Sequence, residues 1–167
     1  MTNAISVTAP REAKKACAKN KLVHGVGTND VDYPIGINEV IDGRKVSVWR
    51  CPFYTVWRSM LSRCHSRSYR RFEHTYAGCT LSSEWYTFSV FRLWMQEQHW
   101  YDKQLDKDLI LTGNKIYSPD TCVFISGGLN KFLLESTASR GPHPLGVSWH
   151  KRTRKFTAVC CNPRAGK

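Results

Sequence analysis

Leu105-Asp106-Lys107-Asp108-Leu109-Ile110-Leu111, then Thr112-Gly113-Asn114-Lys115, then Tyr117-Ser118-Pro119-Asp120-Thr121-Cys122-Val123-Phe124-Ile125: the reading of this chain turns on these residues. With Asp102 just upstream, they hold the one gathering of acidic residues, namely Asp102, Asp106, Asp108 and Asp120. Leu105–Leu111, which opens in polar alternation, predicts a short strand. On a strand, Asp106 and Asp108 share a face. Thr112–Lys115 has turn chemistry. Ser118-Pro119 predicts an N-cap followed by proline at the first position of a short helix. Hard oxygen donors at this spacing suit Mg²⁺ or another divalent cation, which makes Asp106, Asp108 and Asn114 candidate metal ligands. An ion held there activates water against a phosphodiester. The competing reading is a solvated loop and turn.

The charge distribution fits a polyanion partner. The 167 residues carry a net charge of +12, with a pI near 9.6. Residues 79–139 are net acidic, with 7 acidic and 5 basic residues; residues 140–167 hold 7 basic residues and no acid. An acidic centre between basic arms is what a metal-bearing site flanked by phosphate grips requires. No run of about 18 apolar residues is present, so no membrane span is expected. The first residues lack the charged start and apolar middle of a secretory signal, which points to the cytoplasm. Of the seven cysteines no two form a CxxC pair, so buried free thiols are preferred to disulfides or to a zinc site built from Cys51, Cys64, His65 and Cys79.

Working outward, Phe53, Trp57, Met60, Leu61 and Cys64 recur at three- and four-residue steps and predict a helix over residues 53–65. A second helix is expected over residues 84–98, capped by Ser82 and Ser83, with Trp85, Phe88, Phe91 and Met95 on its apolar face. Ile35–Asn38 and Lys45–Trp49 predict strands joined through an Asp42-Gly43 turn, with Glu39–Ile41 as a possible partner strand. Gly25–Asp30 predicts a turn and lacks the ending of a phosphate loop. Leu129–Glu135 predicts a last short helix. Leu145–Cys160 predicts a β-hairpin with a basic turn. Arg63, Arg67, Arg70 and Arg71, interleaved with Tyr69 and Phe72, suit a nucleic-acid surface, since guanidinium pairs phosphate and rings stack on bases. His65, His74 and His99 are candidate bases by type, each weighed against an ordinary surface role.

Leu105-Asp106-Lys107-Asp108, Gly113-Asn114-Lys115, Tyr117-Ser118-Pro119, Thr121-Cys122, Phe124 and Asn130 together resemble a segment of HNH-like homing endonucleases from short-tailed bacteriophages of the T-odd kind. Cys51–Tyr54, Trp57, Met60-Leu61, Arg63-Cys64, Glu84-Trp85, Phe88, Phe91 and Trp94 are similar to that family too, so the likeness covers roughly residues 25–160. It departs at two points. The family's finger has a histidine base at the end of its first strand, where this chain has aspartates, and Thr121 stands where the helix ligand falls. Trp149, Arg152, Arg154 and Lys155 resemble in kind the DNA-reading residues of the Apetala2-type domain, of which only the first two strands precede Lys167.

The resemblance implies an α+β fold: a ββα-metal-finger-like centre packed on two aromatic-rich helices, with a C-terminal β-hairpin. The expected organisation is a basic tail (1–24), an HNH-like nuclease domain (25–135), a linker (136–144) and a truncated DNA-binding hairpin (145–167). The expected activity is metal-dependent hydrolysis of double-stranded DNA in the cytoplasm of a bacterial host. Asp106 and Asp108 would hold Mg²⁺ with help from Asn114, and His99 or His74 would deprotonate water. Arg63, Arg67, Arg70, Arg71, Trp149, Arg152, Arg154 and Lys155 would grip the DNA. The alternatives are a DNA-binding protein without cleavage, and a basic phage protein that binds and inhibits a host protein.

Overall fold

The computed structural model describes residues 22–66, 76–133, 143–144 and 146–159. The chain divides into two compact units, Met1–Asn130 and Lys131–Lys167. The fold is α+β, with short helices and small two-stranded sheets.

The first hairpin pairs β1 (Gly36–Ile41) with β2 (Arg44–Arg50). Asp42 and Gly43 both have positive φ, 51° and 73°, as the twist of a two-residue hairpin turn demands. Helix α1 spans Pro52–His65 and buries the five residues picked out by periodicity: Phe53, Trp57, Met60, Leu61 and Cys64. Its Pro52 sits in the first turn, where a missing N–H costs nothing.

The second predicted helix is broken. Ser83–Tyr86 forms a 3-10 turn, Thr87 is extended, and α2 runs only over Phe88–Gln96. A tertiary pairing causes the break. Thr28 donates its N–H to the Tyr86 carbonyl at 2.8 Å and accepts from the Phe88 N–H at 3.0 Å, so this backbone pairs with another strand segment instead of continuing a helix. Asp30 then receives both the main-chain N–H (2.9 Å) and the hydroxyl (2.5 Å) of Ser89 in the first turn of α2.

Strand β4 (Lys103–Asp106) pairs antiparallel with β6 (Val123–Ser126), which runs directly into α3 (Gly127–Leu133). A two-residue parallel pair joins β3 (Thr80–Leu81) to β5 (Ile116–Tyr117). The helix expected at Ser118-Pro119 is absent. Ser118 closes a single turn by accepting from the N–H groups of Thr121 and Cys122, and the chain then extends as β6. The β-rich run Cys122–Ile125 gains more from pairing with β4 than from continuing as a helix.

The core of the first unit is aromatic. Trp57, Trp85, Phe88 and Phe91 are fully buried. The Trp57 indole N–H is satisfied by the Trp85 carbonyl at 2.7 Å, which ties α1 to the 3-10 turn that precedes α2. Trp85 meets Phe91 edge-on at 5.1 Å between centroids, and Trp57 lies 5.3 Å from Phe88.

In the second unit, β7 (Val147–His150) and β8 (Lys155–Ala158) form the expected hairpin. The expected linker at 136–144 lies mostly outside the described residues.

Candidate functional site

The acidic stretch folds differently from a continuous strand. Strand β4 ends at Asp106, because the Asp106 side chain terminates it. Its Oδ1 accepts from the main-chain N–H groups of Asp108 and Leu109, each at 2.8 Å. A short carboxylate offered to nearby backbone donors competes with ladder hydrogen bonds and favours a turn. Residues 107–111 therefore leave the sheet, and the strand expected through Leu111 is corrected to four residues.

Between the two aspartates, Lys107 faces inward. It is only 5% exposed, while Asp108 is 49% exposed. The Lys107 ammonium is held by Asp108 Oδ2 at 2.6 Å and by the Asn114 carbonyl at 2.7 Å. A buried ammonium needs such oxygen partners to offset lost hydration. The carboxylate of Asp108 is thus engaged by a lysine.

Asn114 is buried and fully used. Its Nδ2 donates to the carbonyls of Lys107 (3.0 Å) and Ile116 (2.7 Å), and its Oδ1 accepts from the Ile116 N–H at 3.0 Å. It clamps the end of β4 to the start of β5. The three side chains expected to hold a metal are therefore each committed to internal hydrogen bonds. Among the described residues, no group of three His, Cys, Asp or Glu side chains is arranged to hold a metal ion.

The remaining candidates are dispersed. Asp102 lies in a turn with φ 54°, and Asp120 is exposed in the turn before β6. His99 is exposed beyond the end of α2. His65 sits beside Tyr86, with its Nε2 3.2 Å from the phenol oxygen. Arg63 turns toward the protein: its Nη1 lies 3.5 Å from the Tyr117 hydroxyl and its guanidinium 5.4 Å from the centre of the Tyr76 ring. His74, Arg67, Arg70 and Arg71 lie outside the described residues. Sequence reasoning missed Gln104, whose Oε1 accepts from Asn130 Nδ2 at 2.6 Å and so fastens α3 to β4.

Around Lys107 the thiols are protonated. Cys51, Cys64, Cys79 and Cys122 are buried and free, as the preference for unpaired thiols required. Burial pushes Cys64 and Cys122 up to about 12, against the smaller pull of the Lys107 charge. No thiolate is available there at neutral pH.

The C-terminal hairpin is the cationic feature left open. Trp149 on β7 is 45% exposed and Phe156 on β8 is 59% exposed; they are cross-strand partners, with ring centroids 4.8 Å apart. Lys151, Arg152, Arg154 and Lys155 cluster around the turn, all exposed. The His150 side chain shapes that turn: its Nδ1 lies 2.8 Å from Thr153 Oγ1 and accepts the Thr153 N–H. Arg154 takes the left-handed backbone (φ 53°) and donates its N–H to the His150 carbonyl. No described carboxylate forms an ion pair with any of these four cations.

No protein-family model, no curated protein and no solved structure matches the chain. No helix among the described residues is long and apolar enough to cross a membrane.

Proposed function

We propose that this protein binds double-stranded DNA through the β7–β8 hairpin and does not cleave it. The observation that carries the reading is the hairpin tip, where four exposed cations surround one turn beside an exposed Trp149–Phe156 pair. Guanidinium and ammonium groups at such a tip contact phosphates, and the indole adds contact with sugar or base edges. The resemblance of Trp149, Arg152, Arg154 and Lys155 to a DNA-reading sheet supports the same assignment. Binding is preferred to hydrolysis because Asp106, Asp108 and Asn114 are occupied in holding the chain together.

Fluorescence anisotropy with a labelled duplex, over a salt series, tests this. Four phosphate contacts give a slope of log K against log salt of about −3.6. The Arg152→Gln variant should weaken binding and reduce the slope by about 1. A slope near zero, or binding unchanged in Arg152→Gln and Arg154→Gln, removes the hairpin from the interface.

A further inference from the structure

A groove of about 630 Å³ opens between the β1–β2 hairpin and α1 in the first unit. Three nitrogen-rich side chains from separated stretches line it. His24 comes from a tight turn, Arg50 from the end of β2 and Arg58 from α1. The turn is Val23–Val26, with φ of 52° at His24 and 80° at Gly25, and with the Val26 N–H donating to the Val23 carbonyl. That geometry is the primed hairpin turn.

Helix α1 contributes a hydrophilic wall. Thr55, Arg58, Ser59 and Ser62 recur at three- and four-residue steps on the face opposite the buried Trp57 and Leu61. The groove has no carboxylate in its lining, and no described acid pairs with Arg50 or Arg58. Arg50 donates through Nε to Ser47 Oγ at 3.0 Å, which fixes its guanidinium plane and leaves the outer N–H groups to a ligand. His24 and Arg58 lie within each other's field: burial first, then the Arg58 charge, lowers the imidazole below its ordinary value. Unneutralised positive charge concentrated in a concave site attracts an anion.

We propose that this groove binds the phosphate of a nucleotide unit. Arg50 and Arg58 take the phosphate oxygens, and the hydroxyls of Ser59 and Ser62 serve as further donors. Planar guanidinium forks match phosphate. The volume exceeds that needed for a bare anion and falls in the range of small-ligand sites. The nucleotide unit comes either as a free mononucleotide or as one residue of a nucleic-acid strand. The site stands on residues other than those of the β7–β8 hairpin, so either assignment can fail alone.

Isothermal titration calorimetry on the full chain, with inorganic phosphate, a nucleoside 5′-monophosphate and a single-stranded oligonucleotide, tests the proposal. The Arg152→Gln/Arg154→Gln double variant provides a background in which the hairpin is silenced. In that background at least one nucleotide probe should bind, and adding Arg58→Gln or Arg50→Gln should weaken it about tenfold or more. Both arginines are exposed, so thermal melting should show the variants folded. The His24 ring protons, followed by NMR, should shift with the titration. Saturable monophosphate binding identifies a free nucleotide; oligonucleotide binding without it identifies a strand. The proposal is overturned if neither nucleotide probe binds, if Arg58→Gln leaves binding unchanged, or if inorganic phosphate binds as tightly as the nucleotides.

Discussion

Replacing Asn114 by alanine removes three hydrogen bonds from one buried side chain. The Ile116 carbonyl keeps a partner, because Thr121 Oγ1 also donates to it at 2.9 Å. The Lys107 carbonyl and the Ile116 N–H lose the Asn114 side chain. At about 1 kcal/mol for each net bond, with most of the three counted in full, Asn114→Ala should cost about 2–3 kcal/mol. In a unit of this size that lowers the melting temperature by about 6–12 °C. Asn114→Asp keeps the acceptor for Ile116 but loses both donors and aims a carboxylate at two carbonyls, so it should be at least as unstable. Differential scanning calorimetry with and without millimolar Mg²⁺ separates a clamp from a metal ligand. The clamp predicts melting temperatures indifferent to Mg²⁺ for wild type and both variants. A loss under about 1 °C in Asn114→Ala, or an Asn114→Asp protein stabilised by Mg²⁺, would refute it.

The turn after β4 gives a related test: Asp106→Ala should lose about 1–2 kcal/mol, and Asp106→Asn, which still offers an acceptor, should stay within about 0.5 kcal/mol of wild type in urea unfolding. A Cβ added at Gly27 meets Leu61 Cδ1 and comes within 2.9 Å of two Trp57 ring atoms, so Gly27→Ala should cost about 1–3 kcal/mol, and combining it with Leu61→Val should recover part of the loss. The Cys64 and Cys122 thiols are raised from an ordinary 9.0 to about 12. Below pH 9 both states keep these protons and stability is full; as pH rises from 9 toward 12 the unfolded chain releases protons that the folded chain holds, so stability falls by up to about 1.4 kcal/mol per pH unit for each thiol. Urea melts between pH 8 and pH 11 measure that slope, to which the raised Cys51, Cys79 and Tyr117 also contribute, and Cys122→Ala should make it shallower by up to about 1.4 kcal/mol per pH unit.

Local patterns carried far in this chain where one element decided its own structure. The apolar spacing of Phe53, Trp57, Met60, Leu61 and Cys64 specified α1, and Asp42-Gly43 specified the first hairpin, since both signals act over a few residues. Leu145–Cys160 read correctly as a hairpin for the same reason. The break at Thr87 was illegible because Thr28, some sixty residues earlier in the chain, supplies the competing backbone partner. At Asp106-Lys107-Asp108 the alternation puts the two acids on one face. Its other consequence, that Lys107 shares a side with Leu105 and turns inward, decides what the acids do. Asn114 in a Thr-Gly-Asn-Lys turn looks the same in sequence whether it ligates a metal or clamps carbonyls. The groove of His24, Arg50 and Arg58 draws on three stretches whose convergence only the fold supplies.

Gel electrophoresis of supercoiled plasmid, incubated with the protein and Mg²⁺ across a salt series, tests the central claim most directly. A DNA-binding protein with structural rather than catalytic aspartates retards the plasmid at low salt and releases it uncut at high salt. Nicked or linear product that disappears in Asp106→Asn and Asp108→Asn, or plasmid that is never retarded, contradicts the account.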